Sequence, residues 1–238
     1  MHNVEMVMRN SIEVSDVMLP GGLRGRAAVC ADDKELFSKA DWEKLLAEPE
    51  KLLGGAQKTL KSDGLNAVTV KYLDAGGRGV RAVIKRRWRN GGIRGFFRSM
   101  GTSHAMRNFA AAVRVKQCGL PVAAPLAAVY HRKLLFCDQS IYISEYVEGT
   151  NLHEFLKNIR ENAVERYRTM QELSERMADI FANMHKNNLW HRDAKANNFI
   201  VRQKAGTSRY EVALIDMDGI KGYLLRCDDC RFRGLVKL

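Results

Sequence analysis

At 238 residues, 46% hydrophobic and 28% charged, the chain is long enough for one large domain or two small lobes and has the balance of an ordinary globular protein. No apolar run approaches the ~20 residues of a membrane-spanning helix, and Met1-His2-Asn3-Val4-Glu5 lacks the basic-then-apolar layout of a secretory signal, so a cytoplasmic protein is expected. The formal charge of +12 sits in one segment: residues 75–137 hold no acid and thirteen of the 39 Lys and Arg, leaving 26 bases against 27 acids elsewhere. A field of that kind attracts polyanions, whether nucleic acid, phosphorylated lipid or an anionic membrane face. Five scattered cysteines make no disulfide framework. Cys227 and Cys230 form a C-x-x-C pair with no second ligand pair, so reduced thiols are expected rather than a structural zinc site.

Residues 1–40 show no sustained period and contain Pro20-Gly21-Gly22, which suggests a loosely built lead-in. Asp41 reads as the N-cap of a short helix, Trp42 to Leu46, interrupted near Pro49. Alternation over Ala67–Tyr72 and again over Val80–Lys85, around Ala75-Gly76-Gly77-Arg78-Gly79, predicts a hairpin ending in a lysine. Ser103 is placed to cap a helix reaching Lys116, with Met106, Phe109, Ala110 and Val113 on one face, stopped by Gly119 and Pro121. Strands are expected near Leu126–His131 and Ile141–Tyr146. A longer helix is expected over about Arg166–Lys186, where Tyr167, Met170, Leu173, Met177, Ile180, Phe181 and Met184 recur at three- and four-residue steps. Further strands are predicted near Phe199–Val201 and Val212–Ile215. Trp88, Phe96 and Phe97, set among arginines, could touch lipid or nucleic-acid bases, with aromatic core packing the preferred reading. A sheet-rich first half and a helical second half give an α+β fold.

The most informative stretch is His191-Arg192-Asp193-Ala194-Lys195-Ala196-Asn197-Asn198, with Asp216 following in Leu214-Ile215-Asp216-Met217-Asp218. An acid, a lysine two positions on and an amide five positions on place a proton acceptor, a cation and a metal ligand in one loop. Asp216, at the end of an apolar run, supplies a second hard oxygen, and Asp218 could replace or supplement it. Phosphoryl transfer asks little of a protein beyond positioning and charge neutralisation, and this set provides both.

In order and spacing these motifs resemble the catalytic loop and metal loop of the protein-kinase superfamily. That resemblance implies a two-lobed fold with a β-rich N-lobe over about residues 41–146 and a helical C-lobe over 147–238. It makes Asp193 the catalytic base and gives Lys195 the charge on the transferring group. Asn198 and Asp216 become the magnesium ligands beside ATP. Ala82-Val83-Ile84-Lys85 resembles the strand whose lysine grips the α- and β-phosphates. Ser144-Glu145-Tyr146-Val147-Glu148-Gly149 falls at the superfamily's hinge, where the Glu145 carbonyl and Val147 N–H would meet adenine. Two departures stand out. Gly76, Gly77 and Gly79 lie too near Lys85 to be the phosphate-covering loop, which would fall at Lys61–Asn66 and is not glycine-rich. The helix after Ser103 holds no acid to pair with Lys85, and Asn108 stands where that glutamate is expected.

Lys85-Arg86-Arg87-Trp88-Arg89-Asn90-Gly91-Gly92, Ser103-His104-Ala105, Cys118–Ala127 and Ile143–His153 together resemble the bacterial lipopolysaccharide core kinases, the WaaP-like Kdo and heptose kinases, over about residues 67–218. The resemblance implies ATP- and Mg²⁺-dependent transfer to a hydroxyl of a lipid-linked inner-core sugar, at the cytoplasmic face of the inner membrane. An anionic membrane surface is then the expected partner of the basic segment, ahead of nucleic acid. The rival readings are a RIO-type protein kinase, an antibiotic phosphotransferase and a pseudokinase scaffold. Only 22 residues follow Asp216, so a shortened or truncated C-lobe is expected.

Overall fold

A computed structural model describes residues 13–29, 37–88, 101–133, 136–159, 162–204 and 206–222. The C-x-x-C pair, Phe96, Phe97 and the chain beyond residue 222 lie outside them. The chain divides into two compact units, Met1–Val113 with Ala124–Tyr146, and Arg114–Ala123 with Val147–Leu238.

The first unit is built on a seven-stranded antiparallel sheet of order β1-β2-β6-β7-β5-β4-β3. Its strands are β1 (Glu13–Val17), β2 (Leu23–Val29), β3 (Lys58–Ser62), β4 (Asn66–Ala75), β5 (Arg78–Trp88), β6 (Pro125–Lys133) and β7 (Phe136–Glu145). The expected hairpin is β4–β5, in register from Asn66↔Arg87 to Ala75↔Arg78. Gly76 and Gly77 both take positive φ, +60° and +72°, in the two-residue turn that the right-handed twist of a hairpin favours. Strand alternation puts Ala82 and Ile84 into the core and Val83 and Lys85 on the opposite face.

The segment expected as a loose lead-in contributes β1 and β2 to this sheet, paired from Glu13↔Val29 to Val17↔Gly25. Their apolar residues are few and small, so local alternation is faint; it is the pairing of β2 with β6 that fixes them. Helices α1 (Lys39–Leu46) and α2 (Pro49–Leu53) lay Trp42, Leu46 and Leu52 against Ala27, Leu73, Ile84, Val129 and Ile143. Asp41 is not the N-cap of α1. Ser38 is, and Asp41 completes a capping box: its N–H donates to Ser38 Oγ (3.2 Å) and its carboxylate accepts from Ser38 N–H (3.0 Å). Starting the helix three residues earlier turns Trp42 and Leu46 inward.

Helix α3 (His104–Gln117) starts at Ser103, whose Oγ accepts from Met106 N–H at 3.2 Å. Its buried face is Ala105, Asn108, Phe109, Ala112 and Val115. This is a third of a turn from the expected face, because small alanines take the close contacts and leave Ala110 in solvent.

In the second unit, β8 (Thr150–Asn151), β10 (Phe199–Gln203) and β11 (Tyr210–Leu214) form a sheet of order β11-β10-β8, and β9 (Leu189–His191) pairs with β12 (Ile220–Gly222). Helix α4 (Leu152–Asn158) is short, and α5 (Ala163–Lys186) is the long helix read from the sequence. It buries Thr169, Leu173, Met177, Ile180, Phe181 and Met184, while Tyr167 (70% exposed) and Met170 (40%) face outward. The buried stripe begins only at Thr169, so the first two turns of α5 stand clear of the core. No helix among the described residues is long and apolar enough to cross a membrane.

Trp42 is fully buried, stacks edge-on with Phe37 at 5.0 Å and donates Nε1–H to Ala28 O at 3.2 Å. Trp42→Ala is expected to lower unfolding free energy by about 3–5 kcal/mol in urea titrations, and Trp42→Phe by distinctly less.

Candidate active site

Helix α5 ends at Asn187, and Asn188, at φ 54°, turns the chain into β9. Asparagine tolerates that left-handed conformation better than most residues. Strand β9 brings in His191, 1% exposed, opposite Ile220. Two fixed backbone groups face its ring: Nδ1 accepts from Asp193 N–H (3.1 Å) and Nε2 donates to Asp216 O (3.0 Å). A donor on one side and an acceptor on the other admit only the neutral Nε2–H tautomer. Burial pushes the His191 pKa below its ordinary value in the same direction, against the pull of the Asp216 carbonyl and nearby carboxylates. The Arg192 N–H adds a further tie, to Gly219 O at 2.8 Å.

Beyond this junction Ala194 is fully buried, which holds the loop down between half-buried Asp193 and exposed Lys195. Lys195 Nζ lies 2.9 Å from each carboxylate oxygen of Asp193. Both side chains keep about half their surface in solvent, so the pair is open to a substrate and contributes little to stability. A single 3₁₀ turn, Ala196–Asn198, follows. Asn198 is held three times: its N–H donates to Lys195 O (2.8 Å), its Nδ2 to Asp193 O (2.7 Å), and its carbonyl accepts from Ile215 N–H (2.9 Å). That last bond seats the residue before Asp216 beside the loop. Buried Met217 and the Ile220 N–H to Met217 O bond (3.2 Å) close the turn that carries Asp216.

Asp193, Lys195, Asn198 and Asp216, picked from the sequence, are thus brought together within the second unit by backbone hydrogen bonds. Asn198 spends its amide N–H on the loop and keeps Oδ1 as an oxygen donor; Asp216 is half-buried and Asp218 is exposed. Among the described residues there is no cluster of three or more His, Cys, Asp or Glu able to hold a metal. Two oxygen donors suit magnesium, which typically takes one or two protein ligands and completes its shell with phosphates and water, so the residues fit that ion.

The remaining predicted residues are placed as follows. Lys85 sits on β5 in the first unit, opposite Tyr142 of β7 and Val68 of β4, on the sheet face away from the Ile84 core. Glu145 ends β7 with its N–H on Ala124 O (2.8 Å), and the Tyr146 N–H donates to Arg81 O (2.8 Å) while the Arg81 guanidinium lies over the Tyr146 ring at 4.0 Å. Val147 begins the second unit's second segment. The turn at Asp63–Leu65, where a phosphate-covering loop was expected, is closed by Asp63. Hydrogen bonds from Asn66 hold that carboxyl below the usual carboxylate range. Cys118 and Cys137 are free thiols, both made less acidic by burial, Cys137 to about 11; neither is an activated nucleophile.

Two contributors carried no role in the sequence reading. His191 was visible as the first residue of the loop motif, but one of its two partners, Asp216, lies 25 residues further along the chain. Gly219 packs on the His191 ring: a Cβ there would lie 2.6 Å from Cε1 and Nδ1. Only the glycine after Asp218 signalled it.

A model of the lipopolysaccharide kinase (Kdo/WaaP) family matches residues 71–224. Among solved structures, the chain is similar to WaaP in complex with acyl carrier protein, with 18% identity over 80% of this chain and 73% of that one and a TM-score of 0.58. A weaker likeness is to the BubR1 kinase domain, 19% identical over 73% of this chain and 49% of that one, with a TM-score of 0.41. No curated protein sequence matches.

Because the His191 ring is pinned on both nitrogens, it cannot swing away from a new methyl group. Gly219→Ala is expected to cut ATP turnover on the order of 10- to 100-fold, with a melting temperature lowered by only a few degrees in thermal scans.

Proposed function

The chain belongs to the lipopolysaccharide kinase (Kdo/WaaP) family, and from that premise we propose that it moves the γ-phosphoryl group of ATP onto a hydroxyl of an inner-core sugar, Kdo or heptose, of a lipid-linked acceptor. The observation that carries this reading is the hydrogen-bonded assembly of Asp193, Lys195, Asn198 and Asp216 inside the segment that the family model matches.

The acceptor oxygen attacks the γ-phosphorus while the bond to the β–γ bridging oxygen breaks and ADP leaves; the acceptor proton passes to the Asp193 carboxylate. Lys195, 2.9 Å from that carboxylate, orients it and offsets the negative charge gathering on the phosphoryl oxygens. Asn198 Oδ1 and the Asp216 carboxylate would hold magnesium, which when bound would neutralise charge on the nucleotide phosphates. The family resemblance assigns Lys85 to the α- and β-phosphates and the main chain of Glu145 and Val147 to the adenine edge. The acid-free segment 75–137 suits an enzyme working at the anionic cytoplasmic face of the inner membrane, where its acceptor is anchored. Family membership favours the sugar acceptor over the protein acceptor of a RIO-type kinase, and the intact Asp193, Asn198 and Asp216 set favours turnover over a pseudokinase scaffold.

Transfer of label from γ-labelled ATP to deacylated and lipid-linked inner-core acceptors tests this reading. Label on the sugar is expected, with Asp193→Asn lowering the rate about 10²- to 10⁴-fold. Label appearing on protein alone, or no label at all, would contradict it.

A further inference from the structure

Asn151, at the end of β8, is absent from the assembly described above yet ties it to helix α4 through the two ends of its side-chain amide. Its Oδ1 accepts from His153 N–H at 2.9 Å and caps α4, while its Nδ2 donates to Asn197 O at 2.8 Å. The Asn197 carbonyl belongs to the peptide group whose N–H is that of Asn198. A peptide group is planar, so fixing the carbonyl fixes the direction of the Asn198 N–H, which donates to Lys195 O. Asn198 in turn holds Asp193 through Nδ2. Asn151 itself is located by backbone pairing, Asn151↔Ile200 and Thr150↔Val201. Gly149 lets β8 come that close: it has φ +137°, and a Cβ there would lie 2.5 Å from Val201 O.

We propose that Asn151 is a positioning residue for phosphoryl transfer, holding the Asn197 carbonyl and through it Asn198 and Asp193. This rests on the kinase reading above. Asparagine is the residue that does both jobs, because its amide is acceptor and donor at once. Aspartate caps a helix as well as asparagine but would set a carboxylate oxygen against the Asn197 carbonyl. Serine keeps a cap and is too short to reach it.

The test is amide hydrogen exchange on Asn151→Asp and Asn151→Ser, with steady-state kinetics on lipid-linked inner core and γ-labelled ATP. Expected are faster exchange at the Asn198 and Ile215 amides with α4 unchanged, kcat lower by about tenfold or more, and KM for ATP within about twofold of wild type. Aspartate and serine variants with wild-type exchange at Asn198 and wild-type kcat would overturn the proposal. Exchange that rises only in α4 would overturn it too, by reducing Asn151 to a helix cap. If one variant fails to fold, the other decides. A wild-type chain that labels no core lipid defeats the acceptor assignment instead, and the exchange comparison still reads the tether.

Discussion

A buried neutral imidazole joins the two pieces of chain on which the chemistry depends. His191 takes a hydrogen bond from the backbone of the residue that carries the proposed base and gives one to the backbone of the residue that carries the proposed metal ligand. Neither bond involves a reacting side chain. The ring sets where Asp193 and Asp216 stand through their backbone alone. Low exposure makes each bond stronger and makes the loss of either more costly, since the orphaned partner would stay buried.

Several other elements of the second unit brace that junction. Strand β9 and the turn at Asp218–Gly219 are tied by the Ile220↔His191 pairing and the Arg192–Gly219 bond, so the ring is approached from a backbone that cannot shift freely. The hairpin β10–β11 delivers Asn198 and Asp216 at the same open end, locked by the Ile215–Asn198 bond. Segment Pro121–Ala123 braces β11 from its other side, through Leu214 N–H to Pro121 O and Ala123 N–H to Leu214 O, both 2.9 Å. Phe181 of α5 packs on Phe199 at 6.1 Å and supports the start of β10 from below. A site that works by positioning needs this density of main-chain ties, because its groups act only within a few tenths of an ångström of the productive geometry.

The parts of this legible in the sequence are those that local chemistry decides. Asp193, Lys195 and Asn198 lie within six residues of one another, so their spacing alone put them on one loop. Hairpin β4–β5 announced itself through alternation around two glycines, and α5 through its three- and four-residue recurrence. What was illegible depends on partners far along the chain. Strands β1 and β2 carry too little apolar pattern to declare themselves and exist because β6 offers an edge. Helix α3 was turned by a third of a turn because alanine carries no strong hydrophobic signal, although small side chains make the close contacts. Asp41 and Ser38 are both good caps three residues apart, and only the burial of Trp42 and Leu46 chooses between them. Asn151 drew no reading of its own from the sequence; its proposed role needs Gly149 and Ile200, placed by a strand two residues long.

The most direct test of this account is a nitrogen-resolved NMR titration of the His191 imidazole in the folded chain. The hydrogen-bonded geometry requires a proton on Nε2 and a bare Nδ1 accepting from Asp193, and burial requires protonation only below the ordinary histidine value of about 6.5. A ring that titrates at or above that value, or that carries its neutral proton on Nδ1, would contradict it, because neither state can accept from Asp193 and donate to Asp216 together.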